Sequence, residues 1–208
     1  MATSIIHLAI AKQVKEKYNQ KIKNPKDFYL GAIAPDISKQ IGESKEKSHF
    51  LINTTGNIPN IAIFIKKYPY YKTTSFDLGY FTHLYTDKLW HEEFLPNIKI
   101  ESSIKLANGD TINATKEEIQ NMIYSDYTNL NKKTIEEYDL DLSLFYEEFT
   151  PPRTNIKEIP IEDLDILINK MGILIENSNE EKTYIIDFEE IKSFINTTSN
   201  KIIEILNN

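Results

Sequence analysis

Three residues in the stretch LGYFTHLYTDKLWHEEF, at positions 78–94, carry side chains that can bind metal ions, and they follow one another at intervals of four: His83, Asp87 and His91. If the stretch is helical, residues four apart lie about 40° from each other, so these side chains share one face. An imidazole and a carboxylate on adjacent turns can bind one ion at about 2.0–2.2 Å. The spacing therefore indicates metal binding. The alternative interpretation is that the three side chains lie on an ordinary solvent-exposed face of the helix.

Other candidate ligands lie earlier in the chain, where His7 occurs in SIIHLAIAK, Asp36 in LGAIAPDI and His49 in KSHF. Each has an ordinary structural interpretation when considered alone: a buried core histidine, a turn residue after proline, and a helix cap or exposed histidine. Each ordinary interpretation is the better one for its residue alone, and their joint occurrence is what needs an explanation. Because the chain has no cysteine, the ligands must be nitrogen and oxygen atoms, which fits Zn²⁺ first and leaves Mn²⁺ or Fe²⁺ open.

The elements that must position these residues are predicted to be helices. Helical periodicity begins at Thr3 or Ser4, which are both typical capping residues. A second helix has Asn24 as its cap and closes at Pro35, so Asp36 lies in a turn. The pattern predicts further helices over residues 59–65, 75–94, 115–138, 141–149, 161–177 and 187–206, and polar loops over residues 38–48 and 150–160.

The fold class that follows is all-α, a compact multi-helix bundle. A small β-hairpin is predicted near residues 103–113, because Asn108-Gly109 is a favoured turn between two short extended segments. A chain of 208 residues can bury a core without disulfides, and it fits a single domain over residues 1–208.

Net charge and hydropathy restrict the partners and the compartment. Lys and Arg number 24 against 31 Asp and Glu, a net charge of −7, so no long nucleic acid is expected as a partner. No window approaches the roughly 20 apolar residues of a transmembrane helix. The N-terminal segment lacks the features of an export signal, so we expect a cytoplasmic protein. The sequence leaves the oligomeric state open.

Taken in order, SIIHLAIAK, LGAIAPDI, KSHF and LGYFTHLYTDKLWH resemble the zinc-dependent phospholipase C family, over residues 4–94. The resemblance implies a helical protein that holds a metal cluster at the bottom of a cleft and hydrolyses phosphate esters. It also implies individual roles: metal ligands at His7, His49, His83 and His91, a bridging carboxylate at Asp87, and a ligand or general base at Asp36.

Two features depart from the family pattern. The chain begins MATS, where secreted members use an N-terminal tryptophan as a ligand, and it has no histidine after His91 to complete a third metal site. Asp126 in MIYSDYTNL, together with Glu92, is the best substitute. We therefore expect two zinc ions, with a third left open, and we expect His91 to be a third-site ligand or a catalytic acid.

The predicted function is phospholipase C-like hydrolysis of phosphate esters by water that divalent ions activate. The substrate is expected to be a small phosphoester or a phospholipid head group. The alternative is a non-catalytic metal-binding or interaction protein that keeps an incomplete site. A phosphohydrolase of the HD type is disfavoured, because the chain contains no adjacent His-Asp pair.

Overall fold

The computed structural model of the chain describes residues 2–52, 56–100, 103–176 and 185–208, and helices dominate it. This confirms the predicted all-α bundle. None of the helices in these ranges combines the length and the apolar character needed to cross a membrane. The α-helices are α1 (Ser4–Lys17), α2 (Pro25–Ile33), α3 (Ile37–Gln40), α4 (Lys45–Ser48), α5 (Ile61–Lys67), α6 (Ser75–Leu89), α7 (Leu95–Ile98), α8 (Lys116–Glu137), α9 (Leu164–Glu176) and α10 (Phe188–Asn207).

Side-chain caps fix the starts of the longer helices. Thr3, Asn24 and Thr115 each accept a hydrogen bond from a backbone amide in the first turn of the helix that follows. Thr115 and Glu118 form a complete capping box, in which each side chain bonds the backbone of the other residue. The predicted starts of α1, α2 and α8 are therefore confirmed.

The predicted hairpin is also confirmed, and it gains one strand. Strands β1 (Lys99–Ile100), β2 (Ser103–Lys105) and β3 (Thr111–Asn113) form an antiparallel sheet in the order β1-β2-β3. Ile104 pairs with Ile112 across the hairpin. The turn contains Gly109 at a φ of +92°, a conformation that favours glycine.

Several predicted boundaries were wrong in detail. The polar loop over residues 38–48 contains the end of α3 and all of α4, whose cap is Ser44. α5 begins at Ile61 with Asn60 as its cap, later than the predicted start at residue 59. Thr74 caps α6, where the sequence pointed to Ser75. Residues 141–149 form only a 3-10 turn at Ser143–Phe145. The predicted end of a helix at residue 177 lies outside the described residues.

The helix predicted over residues 75–94 is interrupted near its end. α6 stops at Leu89, and Trp90–Phe94 form a π-helical turn in which the amide of Leu95 bonds the carbonyl of Trp90. Pro96 explains the change, because its ring has no amide hydrogen and would clash with the carbonyl four residues earlier. His91 therefore lies on the π-helical turn and not on α6.

α1 lies at the centre of the bundle and contacts α2, α6, α8 and α10. Its apolar residues are buried on nearly every side, including Ile5, Ile10 and Val14, which have no exposed surface. Residues 4–11 of this helix are all buried, so His7 is carried into the core. This histidine therefore needs partners inside the protein.

α2 and α6 approach each other closely enough for their backbones to touch. A Cβ atom added to Gly79 would lie 2.1 Å from the carbonyl oxygen of Phe28, and one added to Gly31 would lie 2.1 Å from that of Phe76. Only glycine permits this distance. The contact brings the carbonyl of Ala32 on α2 to His83 on α6.

We predict that Gly79→Ala lowers the free energy of unfolding by at least about 2 kcal/mol, since a backbone carbonyl cannot move aside as a side chain can. Gly172→Ala is the matched control. Its Cβ would contact nothing within 4 Å, so the helix should gain up to about 1 kcal/mol. Urea unfolding of both variants measures the difference, and equal stabilities would contradict the close α2–α6 contact.

Candidate metal centre

Four separate segments of the chain bring their polar side chains to one buried place. α1 contributes His7, the 3-10 turn Ala34–Asp36 contributes Asp36, the residue after α4 is His49, and α6 contributes His83 and Asp87. We refer to these five residues as the imidazole–carboxylate cluster. All of them are buried, although they are polar or charged.

The carboxylate of Asp87 lies between the imidazoles. Its Oδ1 atom is 3.3 Å from Nε2 of His7. Its Oδ2 atom is 3.5 Å from Nε2 of His49 and 3.6 Å from Nε2 of His83. The two oxygens of this carboxylate therefore face different imidazole nitrogens. A carboxylate that bridges two metal ions requires this arrangement.

The donor atoms form two groups that could each hold a metal ion. His7, His83 and Asp87 make one group, and Asp36, His49 and His83 make the other. Within each group, the possible ligand atoms lie within 4.8 Å of one another. These are the groups of three or more candidate ligands found among the described residues, and His83 belongs to both.

A hydrogen bond orients the imidazole of His83. Its Nδ1 atom lies 2.8 Å from the carbonyl of Ala32, which can only accept, so this nitrogen donates and Nε2 is directed at the cluster. Nδ1 of His49 lies 2.8 Å from the Ser48 hydroxyl. The Nε2 atoms of His49 and His83 lie 3.2 Å apart, a separation at which one cation can take both nitrogens as ligands.

His7 supplies a further sign that the cluster suits a cation. Its ring stacks on that of His83 at a centroid distance of 3.8 Å. Neither ring nitrogen of His7, nor Oδ2 of Asp87, has a hydrogen-bond partner within the described ranges. Buried polar atoms without partners cost free energy. Nitrogen and carboxylate oxygen are zinc ligands, so the residues present fit this metal.

The protonation states also suit metal binding. Burial lowers the pKa of His7 and brings the pKa of His49 to about 3, so both imidazoles are neutral at pH 7. Burial alone raises the pKa of Asp36, but the His83 imidazole and a nearby lysine outweigh it and hold this pKa at about 2. Burial also opposes ionisation of Asp87, yet contacts with the imidazoles keep its pKa well below the ordinary value. Metal ligands need these deprotonated forms.

His91 lies on the π-helical turn and belongs to neither group. Its Nε2 atom has no hydrogen-bond partner in the described part of the chain. Burial lowers the pKa of His91 to about 4, so the ring is neutral at pH 7. Glu92, the predicted companion at a third site, forms an ion pair with Lys88 and also lies outside both groups.

Asp126 is buried on α8 and lies outside both groups as well. Its Oδ2 atom accepts hydrogen bonds from the backbone amides of Ile185 and Ile186, at 2.7 and 2.9 Å. These amides precede α10, so the carboxylate joins α8 to the start of the last helix. Backbone donors thus satisfy this oxygen, and a third-site role for Asp126 stays a prediction.

Sequence reasoning did not single out several residues that contact the cluster. Nζ of Lys45 lies 2.9 Å from Oδ1 of Asp36. The spacing of four residues between Lys45 and His49 was a signal that both side chains lie on one side of a helical turn. The hydroxyl of Tyr80 donates to the carbonyl of Ser48 at 2.5 Å and supports the residue beside His49. The backbone amide of Ala2 lies 3.3 Å from Oδ1 of Asp87. No local sequence pattern indicates these two longer-range contacts.

The fold and the cluster together define a class: a helical bundle that buries a candidate centre for more than one metal ion. The family described as zinc dependent phospholipase C matches residues 6–208. The chain therefore belongs to the zinc-dependent phospholipase C family, as the motifs in its first half indicated, and the match extends through the C-terminal half. No curated protein and no solved structure shows a significant match.

We predict that Asp126→Asn lowers the free energy of unfolding by about 1–3 kcal/mol, because a neutral amide binds the two backbone donors less strongly than a carboxylate. The zinc content of the folded variant should equal that of the parent protein. Chemical unfolding and elemental analysis measure the two quantities. Loss of zinc in a variant with parental stability would show that Asp126 is a ligand.

Proposed function

We propose that the chain, acting as one domain over residues 1–208, is a zinc-dependent phosphoric ester hydrolase with a phospholipid-type substrate. The proposal is carried by one observation. The oxygens of the Asp87 carboxylate face different imidazoles, and beside it the Nε2 atoms of His49 and His83 lie 3.2 Å apart. Family membership supports the same chemistry.

His7, Asp36, His49, His83 and Asp87 are the proposed ligands of two zinc ions. Nε2 of His83 has one lone pair and serves one ion, although it lies in both groups. The carboxylate of Asp87 is then the residue best placed to contribute to both ions. Bound zinc supplies Lewis acidity, which activates water and neutralises charge on phosphoryl oxygens. The hydrogen bond to Ala32 keeps the ring of His83 oriented for this role.

Asp36 and His91 are the proposed residues for proton transfer. Asp36 is ionised at pH 7, and its side chain is 10% exposed, so it can meet a water molecule and accept a proton if it is not fully used as a ligand. His91 is neutral at pH 7. A neutral imidazole can bind a metal ion or accept a proton more readily than it can donate one. His91 is also the candidate for a third ion.

A non-catalytic metal-binding protein is the second candidate function. The observation that favours it is the lack of any histidine after His91, which leaves a third metal site without the expected ligands. The two candidates share the same ligands and differ only in turnover. Metal content and hydrolysis must therefore be measured on the same preparation.

We expect protein purified without added metal to contain at least one equivalent of zinc and to hydrolyse a p-nitrophenyl phosphodiester or a phosphatidylcholine emulsion. A chelator should abolish the activity, and added zinc should restore it. Stoichiometric zinc with no turnover on any ester, the monoester included, would favour the binding protein. A folded protein that binds no zinc would contradict both functions.

We predict that His83→Ala and Asp87→Asn weaken zinc binding by at least about a hundredfold, since loss of a residue that only supports a ligand already costs about 10–100-fold. His91→Ala should retain at least one ion and serves as the comparison. Elemental analysis after gel filtration measures retention. Equal zinc loss in the three variants would contradict the division between a two-ion cluster and His91.

A further inference from the structure

Lys45 brings a positive charge to the edge of the imidazole–carboxylate cluster. Its Nζ atom lies 2.9 Å from Oδ1 of Asp36. The same oxygen lies 3.7 Å from Nε2 of His49. A lysine and a candidate metal ligand therefore contact one carboxylate oxygen.

The short helix α4 fixes this arrangement. The Ser44 side chain caps it by accepting the amide of Glu46 at 3.2 Å, and the amide of His49 donates to the carbonyl of Lys45 at 2.9 Å. Because Lys45 and His49 are four residues apart, they lie on the same side of the turn. The ammonium group is thus positioned by the same element that positions His49.

The exposure of the side chains shows which side of the cluster solvent can reach. The side chains of His7, His83 and Asp87 have no exposed surface. The side chain of Asp36 is 10% exposed and that of Lys45 is 22% exposed. Among these groups, solvent contact increases toward Lys45, so a soluble ligand that approaches the cluster from this side passes the ammonium group.

We propose that Lys45 forms an anion-binding site at this exposed side and holds a non-bridging oxygen of a phosphoryl group. The inference rests on the proposed hydrolase function and adds to it a residue that positions the substrate. The ammonium group has three N–H donors and binds phosphate as a compact charge. In a chain with a net charge of −7, such a local cation offsets the repulsion of an anionic substrate.

The contact with Asp36 is compatible with this role. A divalent cation held by the Asp36 carboxylate would repel the ammonium group and weaken the ion pair. An N–H donor of Lys45 at the exposed side could then bind a phosphoryl oxygen.

The test measures the binding of inorganic phosphate to the zinc-loaded full-length protein by calorimetry, after free zinc has been removed. Lys45→Met should raise the Kd for phosphate by about 10–100-fold, the usual effect of losing a charged hydrogen bond. Lys45→Arg should recover part of the affinity. Lys47→Met is the matched control: it removes the same charge from an exposed position of the same helix and should change the Kd less than about twofold.

Zinc content and hydrolysis, measured on the same samples, separate the two proposals. The anion site is supported if Lys45→Met keeps its zinc, binds phosphate weakly and shows a raised KM for a p-nitrophenyl phosphodiester. It is overturned if the variant binds phosphate as the parent does, or if zinc is lost together with phosphate binding, because Lys45 would then only support the cluster. A parent protein with zinc and phosphate binding but no turnover would refute the hydrolase and leave the anion site standing.

Discussion

The buried carboxylate of Asp87 is the constraint on which the rest of the structure depends. A charge without exposed surface costs several kcal/mol unless other groups compensate it. Three imidazoles and one backbone amide surround it, and Oδ2 still has no hydrogen bond among the described residues. A divalent cation is a partner that fits this environment. The convergence of α1, α4 and α6 on one point is explained if such a cation binds there.

The packing of the bundle supports this centre through specific contacts. Gly31 and Gly79 allow α2 and α6 to touch, and this contact places the carbonyl of Ala32 against His83. Tyr80, on the same helix as His83, holds the backbone beside His49 through its hydroxyl. The core residues thus do more than exclude water, because they also set the orientation of the imidazole rings.

Local features of the sequence predicted local features of the fold. The caps, the Asn108-Gly109 turn and the His83–Asp87 pair each depend on a few neighbouring residues, so their patterns could be read directly. The meeting of distant helices could not be read from periodicity, and it was inferred only from the family motifs. The π-helical turn was missed because the apolar pattern continues through it, although Pro96 was the signal. Lys45 was missed because the lysine-rich segment around it has the composition of a loop.

The most direct test of the central claim is X-ray absorption at the zinc edge of the zinc-loaded protein, compared with Asp87→Asn. The account predicts nitrogen and oxygen ligands at about 2.0–2.2 Å, with imidazole scattering and a second zinc at about 3.5–4 Å. In the variant, the zinc–zinc contribution should disappear. A parent spectrum without imidazole ligands, or one that Asp87→Asn leaves unchanged, would contradict a shared centre built around this carboxylate.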